Sequence, residues 1–177
     1  MLENFGIDTV IMIVLAAVIG VYLYRLDKKE KSDPLAALYK QYASLSAEQL
    51  SATSDGELVR AVVSNVLAKT DRRHPDVYRL ISVLSHGRIA VYSVWLLCNE
   101  LEAADIATLL RSPSGRFVET ALDGLSLIGA HNCVEALTAV LESPQDDTLL
   151  RSAITQEQPL LLCVSYIREF PEEFIDL

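Results

Sequence analysis

The sequence predicts an all-α protein: an N-terminal single transmembrane helix followed by a compact bundle of seven or eight short helices. Three observations predict it. Residues 9–24 carry no charged side chain; beyond Pro34, apolar residues recur three and four positions apart; and no Asn-Gly hairpin or sustained period-two alternation occurs. The expected organisation is an anchor over residues 1–26, a charged linker over 27–33 and an acidic helical domain over 34–177.

The anchor consists of Thr9, Val10, Ile11, Met12, Ile13, Val14, Leu15, Ala16, Ala17, Val18, Ile19, Gly20, Val21, Tyr22, Leu23 and Tyr24. At the helical rise this run reaches about 24 Å, against roughly 30 Å of hydrocarbon. Ile7 and Leu26 lengthen it, and Arg25 can lay its stem along the helix while its guanidinium meets the headgroups. Tyr22 and Tyr24 suit the interface. Apolar residues cover the whole circumference, which favours spanning over lying flat. A cleavable signal peptide fits less well, because Glu3 and Asp8 but no Lys or Arg precede the run and no A-x-A follows it. A buried core helix fits less well too, since a charged run follows at once, and a targeting peptide would be rich in Arg and Ser. Arg25, Lys28, Lys29 and Lys31 then place the C-terminal domain in the cytoplasm and the N-terminus outside, as a single-pass protein of the cell membrane. Lipid is thus one expected partner. Ala16, Ala17 and Gly20 offer a small-residue pairing of the kind that supports helix association.

Pro34 suits a first helical turn with Asp33 as its N-cap. Ser46-x-x-Gln49 and Ser54-x-x-Glu57 have the form of capping boxes, the second opening ELVRAVVSNVLAKT. PDVYRLISVLS, GRIAVYSVWLLCNEL, GRFVETALDGLSLIG, NCVEALTAVLES and PLLLCVSYIREF continue the helical spacing. Gly87, Gly115 and Gly129, with Pro75, Pro113 and Pro144, are expected at the breaks. Helices beginning near Arg116 and Asn132 would form an αα-hairpin across Gly129. Trp95, Leu109, Leu110 and Leu160–Leu162 read as core. Cys98, Cys133 and Cys163 are an odd number, widely spaced in apolar stretches, as reduced core cysteines are.

Charge is unevenly shared. Between Asp33 and Asn99, seven Lys/Arg face six Asp/Glu; between Glu100 and Leu177, four Arg face fourteen, a balance of −10. Such a field favours a basic protein partner and repels nucleic acid and anionic lipid. The candidate partner-binding face comprises Glu100, Glu102, Asp105, Glu119, Asp123, Glu135, Glu142, Asp146 and Asp147, several of them spaced to share a helical face. Arg116, three residues before Glu119, is expected to offset it in part. Glu169, Glu172, Glu173 and Asp176 form a further acidic cluster. Solubility alone is the competing explanation of so much charge.

Catalytic signatures are absent. Gly124-Leu-Ser126-Leu-Ile-Gly129 is one residue too long for a nucleophile elbow and follows a helix. His131 and Cys133, two apart, point to opposite sides of a helix. His86 beside Ser85 reads as a capping turn, and His74 precedes Pro75 at a helix start. There is no metal-ligand spacing, phosphate loop or dinucleotide fingerprint. The expectation is a non-enzymatic interaction domain with no cofactor and no metal. A structural subunit of a membrane complex is the alternative, and so is a hydrolase or transferase assembled from residues such as His86, Cys98 and Glu100.

LSHGRIAVYSVWLLCNELEAADIATLLRSPSGRFVETALDGLSLIGAHNCVEAL and the closing YIREFPEEFIDL resemble the DNA-mimic-protein-like domain family. Glu100 matches its helix-ending acidic residue, Ser112–Gly115 its Ser-Gly loop and Ile128-Gly129-Ala130 its helix terminator. Ala103, Ala104 and Asp105 stand where that family has an Asn-Gly-Gly turn, and Thr108, Leu109 and Leu110 where it has a Gln and an aromatic pair. The resemblance implies a small, acidic, all-helical bacterial domain over roughly residues 34–174. It also implies the possibility of imitating DNA toward a basic regulator.

Overall fold

A computed structural model describes residues 34–70, 76–144 and 146–176. The expected anchor, the linker with Asp33, and His74 with Pro75 lie outside the described residues. Among the described residues no helix is long and apolar enough to cross a membrane. The chain divides into two units, Met1–Lys40 and Gln41–Leu177. Helix α1, Pro34–Gln41, straddles that division, with proline at the position where a missing N–H costs nothing.

The larger unit is all-helical. It holds α2 (Ala47–Ala52), α3 (Asp55–Ala68), α4 (Val77–Ile81), α5 (His86–Ala103), α6 (Ile106–Arg111), α7 (Val118–Leu127), α8 (His131–Glu142), α9 (Thr148–Glu157) and α10 (Pro159–Glu169). Two 3-10 turns, Pro113–Phe117 and Pro171–Glu173, complete it. With α1 there are ten described α-helices where seven or eight were expected. The additions are α6, six residues too short to show a helical period, and α9, which the apolar spacing did not mark. The shortest helices, α2, α4 and α6, are held by caps. Ser46 Oγ accepts from Gln49 N–H at 3.2 Å while Gln49 Oε1 accepts from Ser46 N–H at 3.1 Å, a complete capping box. Asp76 and Asp105 accept from Arg79 N–H and Thr108 N–H at the starts of α4 and α6. The second expected box does not form: Ser54 stands at the N-cap of α3, but its side chain makes no capping bond.

Helix α5 is the axis of this unit. It packs against α3, α7 and α10, and α8 packs in turn on α7 and α9 on α8. The contact with α7 is close because Gly124 has no side chain: a Cβ there would meet Ala90 O at 2.9 Å. Gly87 is the second residue of α5, just past the break at Ser85, under Glu173 and Phe174 of the C-terminal turn. Gly129 does mark a break. Its φ of +78° ends α7 in a Schellman motif, with Ala130 N–H donating to Leu125 O at 2.9 Å and Gly129 N–H to Ser126 O at 3.2 Å. The αα-hairpin of α7 and α8 follows.

The core fills as the periodicity predicts. Leu58, Val62 and Val66 of α3, Val91 and Val94 of α5, Ala121 and Leu125 of α7, and Leu137 of α8 are buried. Each large aliphatic among them is worth about 1.5–3 kcal/mol on burial. Phe117 meets Tyr78 edge-on at 4.9 Å between ring centroids and Tyr92 at 5.4 Å. Trp95 sits half-buried on the rim of that cluster, 5.9 Å from Tyr92. Leu161, expected in the core, is instead 59% exposed.

Candidate functional site

The nine carboxylates of the expected face divide into two groups. Four serve the fold. Glu100 accepts from Ser114 Oγ at 3.0 Å, and Asp105 caps α6. Asp146 accepts from Thr148 N–H at 2.9 Å at the start of α9. Asp147 pairs with Arg151 at 2.7 Å and accepts from Ile106 N–H at 3.0 Å, so it reaches the N-terminal end of α6 from a different helix. Hydrogen bonds from Thr108 hold the Asp105 carboxyl below the usual carboxylate range; Thr148 does the same to Asp146, and Arg151 to Asp147. The other five, Glu102 on α5, Glu119 and Asp123 on α7, and Glu135 and Glu142 on α8, are exposed. They form no ion pair or hydrogen bond among the described residues.

Three of the four arginines in the same half are engaged elsewhere. Arg116 does not offset Glu119 as its spacing predicted: it reaches Asp76 at 2.9 Å and lies 4.6 Å above the Tyr78 ring. The Asp76 contact draws it away from its own helix face. Arg151 donates to Leu101 O and, at 2.7 Å, to Ala104 O, closing the C-terminal end of α5 while paired with Asp147. Arg168 donates to Leu50 O at 2.6 Å and pairs with Asp55 at 2.7 Å, tying α10 to the end of α2 and the start of α3. Helix C-termini draw cations. Of the four arginines in the acidic half, only Arg111 makes no such bond among the described residues.

The C-terminal acidic cluster is also not a uniform surface. Asp176 is bound by Arg88 at 2.6 Å, Lys69 at 2.9 Å, Asn65 Nδ2 at 2.9 Å and Leu45 N–H at 2.9 Å. Glu173 accepts from Tyr166 Oη at 2.7 Å and from Gly87 N–H, capping α5. Ser85, beside His86, makes no capping bond of its own; its hydroxyl turns to Glu173 O. Only Glu169 and Glu172 of that cluster stand fully exposed. Glu157, outside the expected face, accepts from Asn132 N–H and Cys133 N–H at 2.9 and 2.8 Å, covering the start of α8.

Among the described residues the cysteines and histidines do not assemble. Cys98, Cys133 and Cys163 are buried and free. His86, Cys98 and Glu100 lie on one helix, and twelve residues separate the first two, about 18 Å at the helical rise. His131 is exposed while Cys133 is buried, on opposite sides as expected. Burial, and then the Glu102 carboxylate, push the Cys98 thiol up to about 12, far from a thiolate at neutral pH. Among the described residues no group of three or more His, Cys, Asp or Glu is placed to hold a metal ion.

A cleft adjoins Glu102, one of the five exposed carboxylates. A space of about 340 Å³ opens between the C-terminal half of α5, α9 and the start of α10. Cys98, Leu101, Ile154, Pro159 and Leu160 line it, Glu102 and Arg151 stand at its mouth, and the exposed Leu161 borders it. Gln158, also in its wall, has φ 51°, the one side-chain-bearing residue in the left-handed region among the described residues. Neither the αL turn before a proline nor the exposure of Leu161 had a signal in the sequence. Sequence reasoning therefore missed this cleft.

No protein-family model, no curated protein and no solved structure matches this chain.

Proposed function

We propose that this protein is a membrane-tethered, non-enzymatic interaction domain that offers an acidic surface to a basic cytoplasmic protein. One observation carries the reading: five carboxylates stand exposed and unpaired among the described residues, while three of the four arginines of the same half are engaged in internal bonds. The negative field is therefore not cancelled within the domain, and long-range attraction of a cationic surface follows. The tether rests on the uncharged run 9–24 and the basic residues after it. Confinement to the membrane zone raises the local concentration of domain and partner. The resemblance to the DNA-mimic-protein-like family points the same way, toward a DNA-binding regulator as the basic partner. Glu119 and Asp123, four residues apart on α7, have the helical-neighbour spacing of about 5–6 Å that a row of phosphate-like charges needs.

The test begins with crosslinking in intact membranes, to identify neighbours of the full-length chain. The expected neighbour is a protein with a basic surface. Its binding should weaken with added salt and with the combined variant E119Q/D123N/E135Q/E142Q. Binding indifferent to both salt and those substitutions overturns the acidic-surface reading. Recovery of the full-length chain in the supernatant of a detergent-free lysate overturns the tether.

A further inference from the structure

We propose that the cleft between α5, α9 and α10 receives a basic amphipathic segment of the partner protein, an apolar side chain entering the cleft and a neighbouring Lys or Arg meeting Glu102. This rests on the acidic-surface reading and says where on the domain the partner is anchored and by what chemistry. The cleft lies at the lower end of the size range of ligand sites, and its floor is aliphatic. Its aliphatic lining therefore rewards a hydrocarbon side chain, while Glu102, Thr155 and Gln158 supply polar groups around it. Leu161, at 59% exposure, remains uncovered on the border and would lose contact with water under such an occupant.

Charge at the mouth decides the sign of the occupant. Arg151 contributes no available cation: its guanidinium donates to both Asp147 oxygens, to Leu101 O and to Ala104 O. Glu102 is exposed and without an ion pair among the described residues. The net field is that of one carboxylate beside an apolar hollow. A cation carried next to a hydrocarbon group fits it; an anionic lipid headgroup or a phosphate does not. Gln158 adds an independent pointer. A left-handed residue with a side chain is strained, and such strain gathers at ligand clamps. Here it turns the chain into α10 at Pro159, and the Gln158 side-chain amide, free of hydrogen bonds among the described residues, remains available to a bound backbone.

The experiment uses the full-length chain in zwitterionic lipid nanodiscs and two synthetic helical peptides with the same leucine pattern. One carries lysine at its polar positions, the other glutamate; empty nanodiscs supply the lipid background. Methyl NMR should show the leucine–lysine peptide shifting Leu101, Ile154 and Leu161, with the leucine–glutamate peptide leaving them in place. Glu102→Gln should weaken binding about fivefold, in the range of a partly exposed ion pair. Thr155→Trp, at an exposed position on the rim, should weaken it tenfold or more by filling the cleft, with the Ile81 and Leu125 methyl signals unmoved to show an intact core. The proposal is overturned if the leucine–glutamate peptide binds as well, if the shifts fall elsewhere, or if both variants bind like the parent. Loss caused by E119Q/D123N/E135Q/E142Q but by neither cleft variant would retire the cleft and leave the acidic surface standing. Binding that no variant and no salt concentration alters would retire both.

Discussion

Two acidic regions of this domain contain the same kinds of residue and use them in opposite ways. At the C-terminal turn, Asp176 and Glu173 are folded inward around a buried arginine. On α7 and α8, Glu119, Asp123, Glu135 and Glu142 face solvent without a partner among the described residues. What separates them is the position of one cation. Arg88, in the first turn of α5, is 7% exposed, and its guanidinium donates to Asn65 Oδ1, Ser85 Oγ, Glu173 O, Phe174 O and Asp176 Oδ1. A buried charge is tolerated only when its donors are matched, so the tail carboxylate and the tail carbonyls are drawn to it. The α7–α8 hairpin has no buried cation beneath it. Its carboxylates face water, and their role is left to a partner.

The sharpest way to break this contrast is Arg88→Met. It removes five donated bonds and leaves Asp176 with Lys69 as its one charged neighbour. Losses of about 3–5 kcal/mol accompany the breaking of buried pairs, and the lower end applies because Lys69 remains. Chemical denaturation should report a drop of roughly 3 kcal/mol, with amide exchange accelerated first over Pro171–Asp176. A loss below about 1 kcal/mol, the range of an exposed pair, would show that the tail is held by apolar contacts alone.

Asp176 supplies the second test, through pH. Burial works to raise its carboxyl, but Lys69, Leu45 N–H, Asn65 and Arg88 outweigh burial and hold it below the usual carboxylate range. A group depressed in the folded state stabilises the fold fully above its unfolded value of about 3.9 and loses that contribution as pH falls through the folded value. The expected profile is a fall in stability on acidification below about pH 4, with no change from this group on going from neutral to alkaline. Asp176→Asn should cost about 2 kcal/mol at neutral pH, because Arg88 keeps its burial and loses its counter-charge. It should also flatten the acid limb. An acid limb as steep in the variant as in the parent would assign the pH dependence to other carboxylates.

These assignments explain what was legible in the sequence and what was not. Helix type and the αα-hairpin could be read because apolar spacing and Gly129 act locally. The Ser46 box could be read because both partners sit within four residues. Arg88, Asp147, Arg151 and Glu173 could not: each acts on a residue 40 or more positions away, save for the Asp147–Arg151 pair itself. A carboxylate's neighbours in sequence say whether it can cap its own helix; they do not say whether another helix will bring it a cation. For that reason Glu173 and Asp176 could not be told in the sequence from Glu169 and Glu172, which stay exposed.

A smaller effect tests the interior from the other side. Ser93, on the same helix as Arg88, is fully buried, and its Oγ has no hydrogen-bond partner among the described residues. An unmatched hydroxyl carries its desolvation cost with no return. Ser93→Ala should therefore stabilise the domain by about 1 kcal/mol, helped by alanine's helix propensity. Thermal denaturation would read it. A destabilised variant would mean that the hydroxyl packs or bonds in a way the neutral core does not reveal.

The smallest expected effect belongs to the exposed group, and its smallness is informative. Neutralising Glu119, Asp123, Glu135 and Glu142 together removes no hydrogen bond and no ion pair among the described residues. Two of the four sit four apart on α7, where like charges repel by a few tenths of a kcal/mol. Folding stability should change by less than about 0.5 kcal/mol, and in the favourable direction. Stability and binding would then separate cleanly: Arg88→Met would damage the fold, whereas the quadruple variant would leave the fold intact and weaken capture of the basic partner. If the quadruple variant instead unfolds, these carboxylates belong with Asp176 and Glu173 as internal groups, and the distinction between the two acidic regions is lost.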